Sequence, residues 1–101
     1  MRILLCLFLF FAAQLQAVDL LLFYSAGCPY SRKVLRYLDS IDKTVPMKEV
    51  SRNPEAKQEL FDLGGMKIVP CLLIDGSPLY DASAIIDWME HHQNLLSKKA
   101  G

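Results

Sequence analysis

An apolar run from Asp19 to Tyr24 stops at Ser25-Ala26-Gly27 and gives way, at Cys28-Pro29, to a segment with helical spacing. A continuous apolar run bounded by small turn residues fits a strand buried on both faces. Proline suits the first position of the helix that follows, because its missing N–H is not needed there. The helix, Pro29 to Ser40, places Val34, Leu35, Leu38 and Ile41 on one stripe and turns Arg32, Lys33, Arg36 and Asp39 away from it. Cys28 therefore stands where a strand has ended and a helix begins. Unpaired N–H groups and the positive end of the helix dipole surround such a sulfur and favour its thiolate. Arg32 and Lys33 add positive charge within one turn. The position describes a reactive thiol rather than a small core residue.

The remaining elements follow in order. Ile41 to Thr44 is a connection. Pro46 to Val50 alternates weakly and reads as an edge strand with proline at its start. Asn53-Pro54-Glu55 is a strong helix start, with an Asn cap, Pro at the first position and an acid near the dipole. That helix carries Ala56, Leu60, Phe61 and Leu63 and stops at Gly64-Gly65. Ile68 to Ile74 is a third strand, Asp75-Gly76 a tight turn and Ser77 to Tyr80 a short return strand. Asp81 caps a last helix, about Ala82 to Leu96, with Ile85, Ile86, Trp88, Met89 and Leu95 as its apolar set and Lys98 and Lys99 suited to its negative end. The order β-α-β-α-β-β-α predicts an α/β fold: a four-stranded mixed sheet with helices on both faces, strands one and two parallel and strand four antiparallel to strand three. A cysteine at the C-terminal end of its first strand sits where open α/β sheets bind ligands.

Length and charge set limits. A chain of 101 residues makes one domain with one core. Its first 17 residues read as an export signal: Met1-Arg2, eleven apolar residues from Ile3 to Ala13, then Gln14-Leu15-Gln16-Ala17 with a small residue at the cut. The run is shorter than the roughly 20 apolar residues of a membrane span. An uncleaved anchor and a misplaced start codon are the alternatives. The mature domain is then 18–101, exported, with no stable membrane span. Lys and Arg number 11 and so do Asp and Glu, so losing Arg2 leaves one net negative charge, which gives no reason to expect nucleic acid as a partner. Of three cysteines Cys6 leaves with the signal, and Cys28 and Cys71 supply neither a disulfide framework nor a zinc site. His91 and His92 read as surface residues, and no metal is expected.

Three stretches together resemble the glutaredoxin family, within the thioredoxin fold, and the related N-terminal domain of glutathione transferases. They are Phe23 to Ser31, containing Cys28-Pro29-Tyr30-Ser31; Gly64 to Leu72, containing Val69-Pro70-Cys71; and Leu79 to Ile86, containing Asp81-Ala82-Ser83. The resemblance covers 19–96, and its specificity lies in the spacing of the three. It implies Cys28 as nucleophile and Val69-Pro70 as a cis-proline turn whose Val69 N–H and C=O pair with glutathione as an added strand. It implies Asp81, Ala82 and Ser83 as the helix start that holds the γ-glutamyl carboxylate, and Tyr30 as an aromatic flank. Free N–H groups at a helix start are a ready carboxylate site on physical grounds alone.

Departures from the family pattern shape the expected activity. Ser31 stands where a dithiol motif has its second cysteine, Ala82 where transferases carry Ser, and Ser25-Ala26-Gly27 lacks a lysine common in glutaredoxins. The helical second domain of transferases is not expected here. The resemblance thus implies an exported monothiol oxidoreductase that uses glutathione as co-substrate and takes glutathionylated proteins as partners. The alternative from a different class is a glutathione- or [2Fe–2S]-binding module without turnover, against which Pro29 stiffens a loop where cluster-binding relatives have Gly. A redox-inert packing domain is a third reading. Cys71 is open between an inert core thiol and a second redox thiol able to resolve Cys28.

Overall fold

The computed structural model describes residues 18–99, so the proposed export signal and Cys6 lie outside the described residues. Strand β1, Leu20–Tyr24, leads into helix α1, Pro29–Ser40. Short strands β2, Lys43–Thr44, and β3, Met47–Glu49, precede helix α2, Pro54–Gly64. A β-hairpin follows, β4 Cys71–Ile74 and β5 Ser77–Tyr80, then helix α3, Ala82–His91, a 3-10 turn Gln93–Leu95, and β6, Ser97–Lys98. The main sheet has the order β3-β1-β4-β5. Strand β1 is parallel to β3 and antiparallel to β4, and β4 is antiparallel to β5.

Two-residue periodicity in the central strands divides the core in two. Leu20 and Leu22 of β1 and Leu72 of β4 face α1 and α3, against Val34, Leu38, Ile85 and Met89. Phe23 of β1 and Cys71 and Leu73 of β4 face α2, against Val50, Ala56 and Leu60. Burial on both faces is why Leu20 to Tyr24 reads as an unbroken apolar run. Asn53 caps α2 as its sequence indicates: Oδ1 accepts the N–H groups of Glu55 and Ala56 at 3.1 and 3.2 Å. Gly65, in the left-handed region at φ 85°, ends that helix.

Several expectations are corrected. The third strand begins at Cys71, not Ile68, because Pro70 has no N–H to give the ladder; Ile68 is exposed. Helix α2 buries only Ala56 and Leu60, which lie one turn apart on one stripe, and leaves Phe61 and Leu63 exposed. The Lys67 ammonium instead lies over the Phe61 ring, 5.5 Å from its centroid. The connection after α1 holds strand β2, which pairs with β6 in a second, two-stranded sheet. The last helix ends at His91 rather than near Leu96. Nδ1 of His91 and of His92 take up the Asp87 and Trp88 carbonyls at 2.8 and 2.7 Å, and the His92 ring stacks on Trp88. The chain then turns so that Leu96 enters the core. Lys98 therefore lies in strand β6 and Lys99 just after it, rather than on a helix end; the Lys99 ammonium pairs with Asp39 and its N–H donates to the Asp42 carbonyl. Asp81 occupies the cap position of α3 at φ 80°, yet its side chain makes no capping hydrogen bond. Among the described residues no helix is long and apolar enough to cross a membrane.

Candidate active site

Cys28 is the N-cap residue of α1, half-buried, in extended backbone conformation. Its N–H donates to the Ser25 carbonyl at 3.0 Å, and its carbonyl accepts the Arg32 N–H at 2.9 Å. The thiol closes no hydrogen bond of capping geometry. Its pKa is nonetheless lowered, first by the Ser31 N–H, then, against a smaller opposing effect of burial, by the Tyr30 N–H, the Ser31 hydroxyl and the Arg32 charge. These are the unpaired donors of the first helical turn, which gain from an anion at the helix head.

Ser31 is more than an absent cysteine. It is fully buried at the first turn of α1, and its Oγ accepts the Ser25 N–H at 3.1 Å. A hydroxyl that accepts from the backbone keeps its own proton to donate. That hydroxyl is also one of the groups that lower the Cys28 thiol pKa. No pattern in the sequence marks this double role.

Tyr30, Val69, Pro70, Asp81 and Ala82 line one open cleft of about 290 Å³, with Ile68 at its edge. The Val69–Pro70 peptide bond is cis. Val69 stands outside strand β4, and no backbone hydrogen bond of its N–H or C=O is found among the described residues. At the head of α3 the first helical bond is Ile85 N–H to the Asp81 carbonyl, so the N–H groups of Ala82 and Ser83 stay open. Tyr30 is 68 % exposed, its ring at the cleft rather than in the core. Ser83 is exposed beside the cleft without lining it. A larger groove of about 440 Å³ lies between β3 and α2, lined by charged side chains such as Lys48, Glu49, Arg52 and Glu59. The smaller cleft takes in Tyr30, two residues after Cys28 in the first turn of α1.

The structure separates Cys71 from this group. It is fully buried under α2, and burial pushes its thiol pKa up, which favours the inert reading. Two other residues carry no sequence signal. Tyr80 donates its hydroxyl to the Gly64 carbonyl at 2.8 Å, tying β5 to the end of α2. Glu49, at the end of β3, accepts the Ala26 N–H at 2.8 Å in the turn just before Cys28.

The family description "glutathione S-transferase, N-terminal domain" matches residues 27–92. The chain belongs to this family. No curated protein matches it in sequence. Among solved structures the domain resembles the buckwheat glutaredoxin–glutathione complex, at 17% identity over 77% of this chain and 73% of that one, with a TM-score of 0.56. It also resembles the holo form of glutaredoxin C1 from Populus tremula x tremuloides, at 18% identity over 76% of this chain and 79% of that one, TM-score 0.57. A glutathione S-transferase from Methylobacillus flagellatus, solved with glutathione bound, shares 30% identity over 73% of this chain, TM-score 0.60. The domain spans only 37% of that transferase. Its fold is the thioredoxin-like fold of glutaredoxins and transferase N-terminal domains.

Proposed function

We propose that this domain is a glutathione-dependent thiol–disulfide oxidoreductase acting through Cys28 alone. The observation that carries the reading is the half-buried Cys28 sulfur at the head of α1, its pKa lowered by the donors of the first turn, next to a cleft lined by Tyr30, Val69, Pro70, Asp81 and Ala82. The Cys28 thiolate attacks the glutathione sulfur of a protein–glutathione mixed disulfide. A Cys28–glutathione disulfide forms, the protein–glutathione bond breaks, and the protein sulfur leaves as a thiolate that takes a proton from water. A second glutathione thiolate then attacks the bound glutathione sulfur, releasing glutathione disulfide and restoring the Cys28 thiolate. The second thiol comes from solution, so neither Ser31 nor the buried Cys71 is asked to supply it.

In this reading the open N–H groups of Ala82 and Ser83 hold the γ-glutamyl carboxylate. The free backbone of Val69 pairs with the cysteinyl unit as an added strand, and Tyr30 covers one side of the tripeptide. The partners are glutathione and glutathionylated proteins. Reading 1–17 as an export signal places the mature domain in an oxidising compartment. Mass analysis of the protein recovered from cells checks that placement through a new N-terminus at Val18. Turnover of a glutathionylated peptide with glutathione tests the activity: Cys28→Ser abolishes it, and a Cys28→Ser protein with full activity would refute the assignment.

A further inference from the structure

We propose that Glu49 is a positioning residue for the nucleophile: its carboxylate clamps the turn before Cys28 to the turn before α2 and so holds the sulfur among the donors of the first helical turn. The proposal rests on the reading of Cys28 as nucleophile. Glu49 ends β3 beside Tyr24, the last residue of β1, in parallel register. Both strands therefore leave the sheet side by side, and each enters a turn.

The carboxylate joins those turns. Oε2 accepts the Ala26 N–H at 2.8 Å and the Ser51 hydroxyl at 2.5 Å. Oε1 accepts the Ser51 N–H at 2.6 Å and the Arg52 N–H at 3.1 Å. Four donors use the acceptor capacity of one carboxylate. The turn before Cys28 is thus fixed at three points: Ala26 by Glu49, Ser25 by the Ser31 hydroxyl, and Cys28 itself by the Ser25 carbonyl. Freeing Ala26 loosens Ser25, and with it the Ser31 hydroxyl that helps to lower the Cys28 thiol pKa. The same contacts, the Ala26 N–H first and the Ser51 hydroxyl next, hold the Glu49 carboxyl at about 2, so the clamp stays charged at any ordinary pH.

The sign of the effect separates positioning from charge. An anion near a thiol disfavours its ionisation, so deleting the Glu49 charge by itself makes Cys28 ionise more readily. Loss of the clamp does the opposite. Arg32, on α1, acts on Cys28 and is untouched by a change at Glu49, whereas Arg52, on the α2 side, donates its backbone N–H to the clamp.

The test is the rate of iodoacetamide alkylation at Cys28, read by mass as a function of pH, in the full chain and in Glu49→Ala, Glu49→Gln and Lys48→Ala variants. No glutathione is needed. The clamp predicts that Glu49→Ala moves the midpoint upward and lowers the rate at pH 7 about tenfold. Glu49→Gln, which keeps one acceptor oxygen, falls between, and Lys48→Ala matches the parent. A folded Glu49→Ala protein whose midpoint stays put or moves down overturns the proposal; if that variant does not fold, the same outcome in Glu49→Gln overturns it. An ordinary thiol midpoint in the parent instead sinks the nucleophile reading, so the two failures are distinct.

Discussion

The Ser31 hydroxyl accepts the Ser25 N–H at 3.1 Å from a fully buried position, and it is one of the groups that lower the Cys28 thiol pKa. One side chain thereby ties the turn after β1 to the first turn of α1.

Replacing Ser31 with Ala removes the hydroxyl and leaves the Ser25 N–H without its partner. The fold should lose about 1 kcal/mol, the usual net worth of one such hydrogen bond. The Cys28 thiol pKa should rise, though not fully, because the Ser31 and Tyr30 N–H groups are backbone and remain. Urea unfolding gives the first quantity and thiol absorbance against pH gives the second. A Ser31→Ala protein with the parent's titration curve rejects the role of the hydroxyl.

Asp81 holds φ 80° and ψ 120° without a capping bond from its side chain. Such backbone strain in a non-glycine residue costs of order 1–3 kcal/mol, and glycine, despite its larger loss of freedom on folding, adopts it without penalty. Asp81→Gly should raise stability by about 1 kcal/mol, or roughly 4–8 °C in melting temperature for a domain of this size. The same change removes from the cleft wall a carboxylate able to pair with the α-ammonium of the γ-glutamyl unit, so calorimetry should show weaker glutathione binding. Opposite movements of melting temperature and affinity are the expected signature; a less stable variant that binds as before contradicts it.

A Cβ on Gly64 would stand 2.6 Å from the Tyr80 hydroxyl, which donates to the Gly64 carbonyl. Alanine ordinarily favours a helix over glycine by about 1 kcal/mol. Here the crowding should outweigh that gain and leave Gly64→Ala destabilised by about 1–2 kcal/mol. Tyr80→Phe alone should cost about 1 kcal/mol through the lost hydrogen bond. The double variant should be more stable than the sum of the two single effects predicts. Strict additivity in a denaturation series counts against the contact.

The Glu49 carboxyl is held at about 2, below its ordinary 4.5. A carboxylate with a depressed folded pKa stabilises the fold fully above the unfolded value, and that contribution is lost as pH falls through the folded one. Parent and Glu49→Gln stability curves should therefore keep a constant gap above pH 4.5 and converge between 4.5 and about 2. Unfolding midpoints across that range check this, and parallel curves down to the lowest pH contradict it.

What was legible in the sequence is what neighbours along the chain decide. The apolar run at Leu20 to Tyr24 dictates a doubly buried strand, Asn53-Pro54 a helix start, Gly64-Gly65 its end, and Cys28-Pro29 a sulfur at a helix head. These depend on periodicity and on caps within three or four residues. The family resemblance in the spacing of Cys28-Pro29-Tyr30, Val69-Pro70 and Asp81-Ala82-Ser83 reaches further, and the cleft brings most of those residues to one place. Phe61 shows the limit: it fits an apolar set on paper, yet the stripe that meets the sheet is the one through Ala56 and Leu60.

The sequence by itself determined the order of the four main-sheet strands and three helices and the station of Cys28, because those rest on local hydrogen bonds and on side-chain period. Only the tertiary structure decided that Cys71 faces α2, that Ser31 is buried, that Glu49 meets Ala26, and that the chain after His91 folds back so that Lys99 meets Asp39 across 60 residues. Each of those outcomes depends on which faces two distant segments turn to one another. Strand order and packing settle that, and no short window of sequence contains it.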